Sequence, residues 1–213
     1  MELMKLADIG GNIGSLIGGI ASISGVLISL REKNRLVQFE NELSKHVTNK
    51  KIHRELSDDE YNLLHKIITN AMHNGTADRI KRFAKIAYDV IYCNYLAVSR
   101  GERFVYAINN LSDQEVAFLI MISVNTAGLT NAETHLVCIN VPNSKGKWQT
   151  GVEKAFTDIG IIRSEWRVVL KKLEYLGILQ YEDTYVVGGF KYAVSDFGHE
   201  FVRYLMMQDD VNT

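Results

Sequence analysis

The stretch 164-SEWRVVLKKLEYLGILQYEDTYVVGGFKYAVSDFGHEF-201 decides how the C-terminal half of this chain folds. Trp166, Val169, Leu170, Leu173 and Leu176 recur at three- and four-residue steps, so residues 164–176 read as a helix with one buried face. Gly177 follows at once, where a glycine commonly closes a helix. Residues 178–181, Ile-Leu-Gln-Tyr, then read as a strand, residues 182–189 as a hairpin loop, and residues 190–194 as the returning antiparallel strand. Ser195 precedes a last apolar series, Phe197, Phe201, Tyr204 and Leu205, and caps the helix that carries it.

Upstream, Leu111-Ser-Asp-Gln-Glu115 is a capping box ahead of an apolar helix that begins at Val116. Residues 135–141 alternate enough for one short strand, residues 143–148 form a turn beside Pro142, and residues 152–159 read as a short helix. The order helix, helix, Leu-Gly-Ile-Leu strand, loop, strand and Ser-Asp-Phe-Gly-x-x-Phe over about residues 111–207 resembles a winged-helix domain. In that family the second helix of the turn enters the DNA major groove. The resemblance therefore offers Arg163, Arg167, Lys171 and Lys172 as DNA contacts, and 163, 167 and 171 share one helical face. Glu165 and Glu174 lie on the same helix, and Glu182-Asp183 open the loop. Residues 111–213 hold 9 Lys+Arg against 13 Asp+Glu. Phosphate neutralisation supplies most non-specific DNA affinity, so this acidic half points to a protein partner ahead of nucleic acid.

The N-terminus has a different character. Residues 9–30, IGGNIGSLIGGIASISGVLISL, are 22 residues without a charge. As a helix they would span about 33 Å, close to the roughly 30 Å of a bilayer core. Gly10, Gly14, Gly18 and Ser22 recur every four residues and form one smooth stripe. Such a stripe lets a second helix approach closely and predicts self-association into a homo-oligomer. Arg31, Lys33 and Arg35 follow as membrane-surface contacts that would hold that side in the cytoplasm. The alternative is a helix packed inside a soluble, cytoplasmic oligomer, because six glycines and several serines lower both hydrophobicity and helix propensity. In either case the helix is expected to continue amphipathically through Leu36, Phe39, Leu43 and Val47, giving a first segment of residues 1–48.

Residues 49–110 read as a helical spacer or small bundle. Ser57 and Glu60 form a second capping box before Tyr61, Leu64, Ile67, Ile68 and Met72. Asn74-Gly75 ends that helix through a left-handed turn, Thr76 caps the next over about 77–98, and Arg100-Gly101 closes the segment. Arg79, Lys81, Arg82 and Lys85 are a basic patch fit either for anionic headgroups or for solvent. The expected fold class is thus mainly α: a Gly-rich N-terminal helix, a helical middle, and a winged-helix-like α+β domain over 111–213.

Net charge is −1 over 213 residues, so no global field selects a partner. Two cysteines, Cys93 and Cys138, are too few for a disulfide framework. The six histidines lack metal-ligand spacing, and there is no phosphate loop or nucleophile motif. We therefore expect no metal, no cofactor and no enzyme activity. The layout of Asn110-Leu-Ser-x-x-Glu115 before an apolar helix, with Leu-Gly-Ile and Ser-x-x-Gly-x-x-Phe near the end, resembles bacterial abortive-infection proteins of the Abi-alpha type over about residues 56–205. That resemblance implies a role in phage defence and transfers no functional residue. The combined expectation is a self-assembling protein of the bacterial inner membrane, with a cytosolic winged-helix-like sensing domain. The alternative is a soluble winged-helix DNA-binding regulator that oligomerises through its N-terminal helix.

Overall fold

The structure, a computed structural model, describes residues 29–47, 56–93, 96–126, 137–140, 158–181 and 189–206. It is mainly helical. The chain divides into two compact units, Met1–Asn110 and Leu111–Thr213.

In the first unit the helices are α1 (Leu30–His46), α2 (Asp58–Asn74), α3 (Ala77–Tyr88) and α4 (Val98–Asn110). A π-helical turn, Asp89–Cys93, continues α3. Helix α1 packs on α3 and α2, and α4 packs on α2 and α3. Phe39 and Leu43 from α1, Leu63, Leu64 and Ile67 from α2, Phe83 from α3, and Phe104 and Ile108 from α4 are buried in this core. The residues at 30–46 therefore belong with the helices of 58–110, where the sequence suggested a boundary near residue 48.

Three local expectations need correction. The uncharged stretch does not run through Leu30 as one helix, because Ser29 is extended (φ −66°, ψ 157°) and caps a new helix. Its hydroxyl accepts from Glu32 N at 3.3 Å, while Glu32 Oε2 accepts from Ser29 N at 2.8 Å. This reciprocal box satisfies two amide donors at the helix start and fixes where α1 begins. Gly75 is not left-handed (φ −70°); it is needed for space, since a Cβ there would lie 2.5 Å from Ile80 Cγ1. Gly101 does not close a segment but sits inside α4, where a Cβ would lie 2.6 Å from Leu63 Cδ2. A glycine read as a breaker thus serves as the contact point of α4 on α2. Lys66 also pairs with Glu102 between the same two helices.

The second unit runs α5 (Asp113–Thr126), β1 (Val137–Asn140), a 3-10 turn (Arg163–Glu165), α6 (Trp166–Tyr175), β2 (Leu179–Tyr181), β3 (Gly189–Val194) and α7 (Asp196–Met206). The strands form an antiparallel sheet in the order β1-β3-β2. Val137 faces Tyr192 and Asn140 faces Gly189 on one side of β3; Leu179 faces Val194 and Tyr181 faces Tyr192 on the other. Helix α6 packs on β2, and α7 packs on α5 and β3. Phe118, Leu119, Trp166, Leu170, Leu173, Ile178, Tyr192, Phe201 and Leu205 are buried there. The buried indole of Trp166 donates to Ile161 O at 3.1 Å, which satisfies its one polar atom.

One knot of backbone bonds joins the two glycine motifs of this unit. Gly177 adopts φ 71°, which favours glycine, and Ile178 N reaches back to Leu173 O at 2.9 Å to close α6. Ser195 Oγ donates to Gly177 O at 2.5 Å and accepts from Gly198 N at 2.9 Å, while Ser195 N donates to Ile178 O at 3.0 Å. The Leu-Gly-Ile and Ser-x-x-Gly motifs therefore hold each other, end of α6 to start of α7.

Candidate functional site

The self-association stripe of Gly10, Gly14, Gly18 and Ser22 lies outside the described residues. Among the described residues no helix is long and apolar enough to cross a membrane. Of the three cations that follow, Arg31 and Lys33 are exposed. Arg35 instead turns onto the C-terminal end of α2, donating Nη1 to Met72 O at 2.9 Å and His73 O at 2.6 Å. A cation there satisfies carbonyls that have no partner within the helix and complements the negative end of its dipole. Two of the basic residues of α3 behave similarly. Lys85 pairs with buried Asp89 at 3.3 Å and Arg79 reaches Asn74 O at 3.4 Å, while Lys81 is exposed beside Asp78.

The residues expected on the DNA-facing helix have separate fates. Arg163 opens the 3-10 turn and Arg167 is exposed on α6. Lys171 binds Glu174 at 2.7 Å, and its ammonium lies 5.4 Å from the Tyr181 ring centre and 6.0 Å from that of Tyr192. The hydrogen bond to Glu174 is the main reason its pKa rises above the ordinary lysine value. Lys172 is held by both oxygens of Glu115, at 2.9 and 2.7 Å. Glu115 is 7% exposed and also accepts from Ser112 N at 2.6 Å. One carboxylate therefore caps α5 and anchors α6 to it.

Exposed apolar residues lie beside those cations, where periodicity points only to the buried set. Val168 is 68% exposed, Tyr175 80% and Tyr181 42%. Val168, Lys171 and Tyr175 lie on one face of α6 by their three- and four-residue spacing, and Lys171 joins that face to Tyr181 across β2. The signal was present in the chain: Val168 and Tyr175 fall out of register with the buried set of Trp166, Val169, Leu170, Leu173 and Leu176. Of the exposed residues, Tyr175 and Tyr181 belong to a residue type enriched at protein interfaces. Among the described residues no group of His, Cys, Asp or Glu gathers to hold a metal ion.

Compared with protein-family models, curated proteins and solved structures, the chain matches none.

The Glu115 anchor can be tested directly. Glu115→Ala leaves Lys172 and the Ser112 amide without their acceptor, and hydrogen bonds to charged groups are worth about 1.5–3 kcal/mol each when intact. Lys172 is 36% exposed, so water recovers part of that loss. The expected destabilisation is about 2 kcal/mol in urea unfolding. An unchanged midpoint would show that the pair does not tie α6 to α5.

Proposed function

We propose that this chain is a non-enzymatic assembly protein in which residues 9–30 self-associate in the bacterial inner membrane and the second unit, of winged-helix type, receives a protein partner on the outer face of α6. The observation that carries the partner half is the make-up of that face: Val168 and Tyr175 outward, Lys171 bound to Glu174, and Lys172 bound to Glu115. The winged-helix reading is supported by the order helix, strand, helix, hairpin, with β3 between β1 and β2. The membrane half is supported by the 22 uncharged residues and their four-residue stripe. A toxic effector of phage defence is the concrete form of this reading, with partner docking as its trigger.

Overproduction of the full chain is expected to dissipate the membrane potential of the host, and deletion of residues 9–30 to abolish that effect. Val168→Asp with Tyr175→Asp places two charges where the partner's apolar surface would meet them. The double variant is expected to remove the response while leaving thermal stability unchanged, since both side chains are exposed. Full response from it would sink the docking reading. The DNA-binding alternative makes the opposite forecast, a duplex complex that weakens steeply with salt and with Arg167→Glu. We expect no such complex at about 50 mM salt.

A further inference from the structure

Helix α1 lies on α3 and α2 with two fully buried side chains, and further contacts close its two ends. Over 17 residues only Phe39 and Leu43 are fully buried, against six residues of α2. At its N-terminal end Glu32 Oε1 meets His73 Nδ1 at 2.7 Å, beside the Arg35 bonds to Met72 O and His73 O. At its C-terminal end half-buried His46 packs its ring on Tyr88, with centroids 5.5 Å apart, and Tyr88 packs on Tyr92 at 5.4 Å. Lys85 reaches over the same Tyr88 ring at 5.6 Å and pairs with buried Asp89. The two ends of one helix thus each close on a histidine contact.

We propose that α1 is a strap that neutral His46 keeps docked on α3, and that protonation of His46 releases it from its C-terminal end. The groups whose charge acts on His46 are Lys85 and Asp89 from α3 and its π-helical turn, and Glu42 and Lys45 from α1 itself. Burial, then the Lys85 ammonium, lowers the His46 pKa below 6.5; Asp89 and Glu42 oppose this. Tyr92, whose pKa burial raises, stays neutral throughout the range concerned. Above the unfolded value of about 6.5, His46 is neutral whether docked or not, and the full docking energy is present. As pH falls through 6.5 the undocked ring takes a proton that the docked ring resists, so docking weakens down to the lowered value and then levels. The other end does not yield in this window. Glu32 titrates below the ordinary carboxylate range, chiefly through the Ser29 hydroxyl, so its carboxylate keeps its charge beside His73. Release therefore runs from residue 46 toward residue 36 and uncovers the surface that Phe39 and Leu43 occupy.

Hydrogen exchange on the full chain, read by mass spectrometry at about pH 7.5 and about pH 5.5 and corrected for intrinsic rates, tests this. Peptides covering 36–47 are expected to lose protection relative to α2 peptides at the lower pH, by up to tenfold for each unit of lowering in the His46 pKa. His46→Phe, which keeps the ring contact, and His46→Gln are both expected to remove the pH dependence. A wild-type ratio that does not change with pH overturns the proposal, as does a pH effect that persists in both variants. The His46 ring-proton titration gives a check that needs no variant: a midpoint below 6.5 supports the strap, and one at or above 6.5 refutes it.

Discussion

Gly198→Val is expected to unfold the second unit, and Gly198→Ala to destabilise it by about 2–3 kcal/mol, the upper range for forcing extra methyl groups into a packed core. A Cβ at this position would overlap the carbonyl oxygen of Ile178 and approach Val194 Cγ1 to 2.9 Å. The carbonyl cannot retreat cheaply, because it already accepts from Ser195 N at 3.0 Å at the start of β2. Moving α7 instead would stretch the Gly198 N bond to Ser195 Oγ, and with it the Ser195 bond to Gly177 O. The valine adds two more methyl groups and a β-branched helix residue. Against a total stability of about 5–15 kcal/mol for a typical domain, the combined cost leaves little. Both tryptophans of the chain, Trp148 and Trp166, lie in residues 111–213, so tryptophan fluorescence in urea reports this unit alone. A wild-type midpoint for Gly198→Ala would show that α7 is free to shift.

The second large effect is expected at Phe39. Its side chain is fully buried between α1 and the helices it packs on, and Phe→Ala at such a site costs about 3–5 kcal/mol. Helix α1 has only Leu43 as a second fully buried anchor, so the loss should fall on α1 itself. Amides of 36–46 are expected to exchange at rates near those of an undocked helix, while α2, which also packs on α3 and α4, keeps its protection. Equal loss of protection in α2 would mean that α1 is an integral part of the bundle rather than a helix laid on it. The same outcome would weaken the strap proposal, since a helix that cannot leave alone cannot be released by one histidine.

Much of the helical architecture was readable because its signals are local. Ser57 with Glu60 and Ser112 with Glu115 mark helix starts through bonds made within four residues, and both are present. The Ser29 and Glu32 pair has the same form, but the absence of charge from 9 to 30 hides it inside what reads as a single helix. Buried faces were legible for the same reason: Trp166, Leu170 and Leu173, or Phe197, Phe201 and Leu205, follow the helical period and lie in the core. The glycines were less legible. Gly75 and Gly101 look like breakers by composition, yet each is set by a neighbour distant in sequence or on the next element, Leu63 for Gly101 and Ile80 for Gly75.

The candidate site divides along the same line. Sequence alone identified the helix that carries Arg167, Lys171 and Lys172, with Arg163 in the 3-10 turn before it, since amphipathic spacing is a property of consecutive residues. Only the tertiary structure decided what those cations do, because Glu115 stands 57 positions before Lys172 and meets it through the packing of α5 and α6. It likewise left Val168 and Tyr175 outside the core and brought Tyr181 beneath Lys171. Helix starts, faces and ends follow from short-range hydrogen bonding and periodicity. The partner of a charge and the exposure of an apolar side chain follow from which elements lie side by side, and that depends on the fold as a whole.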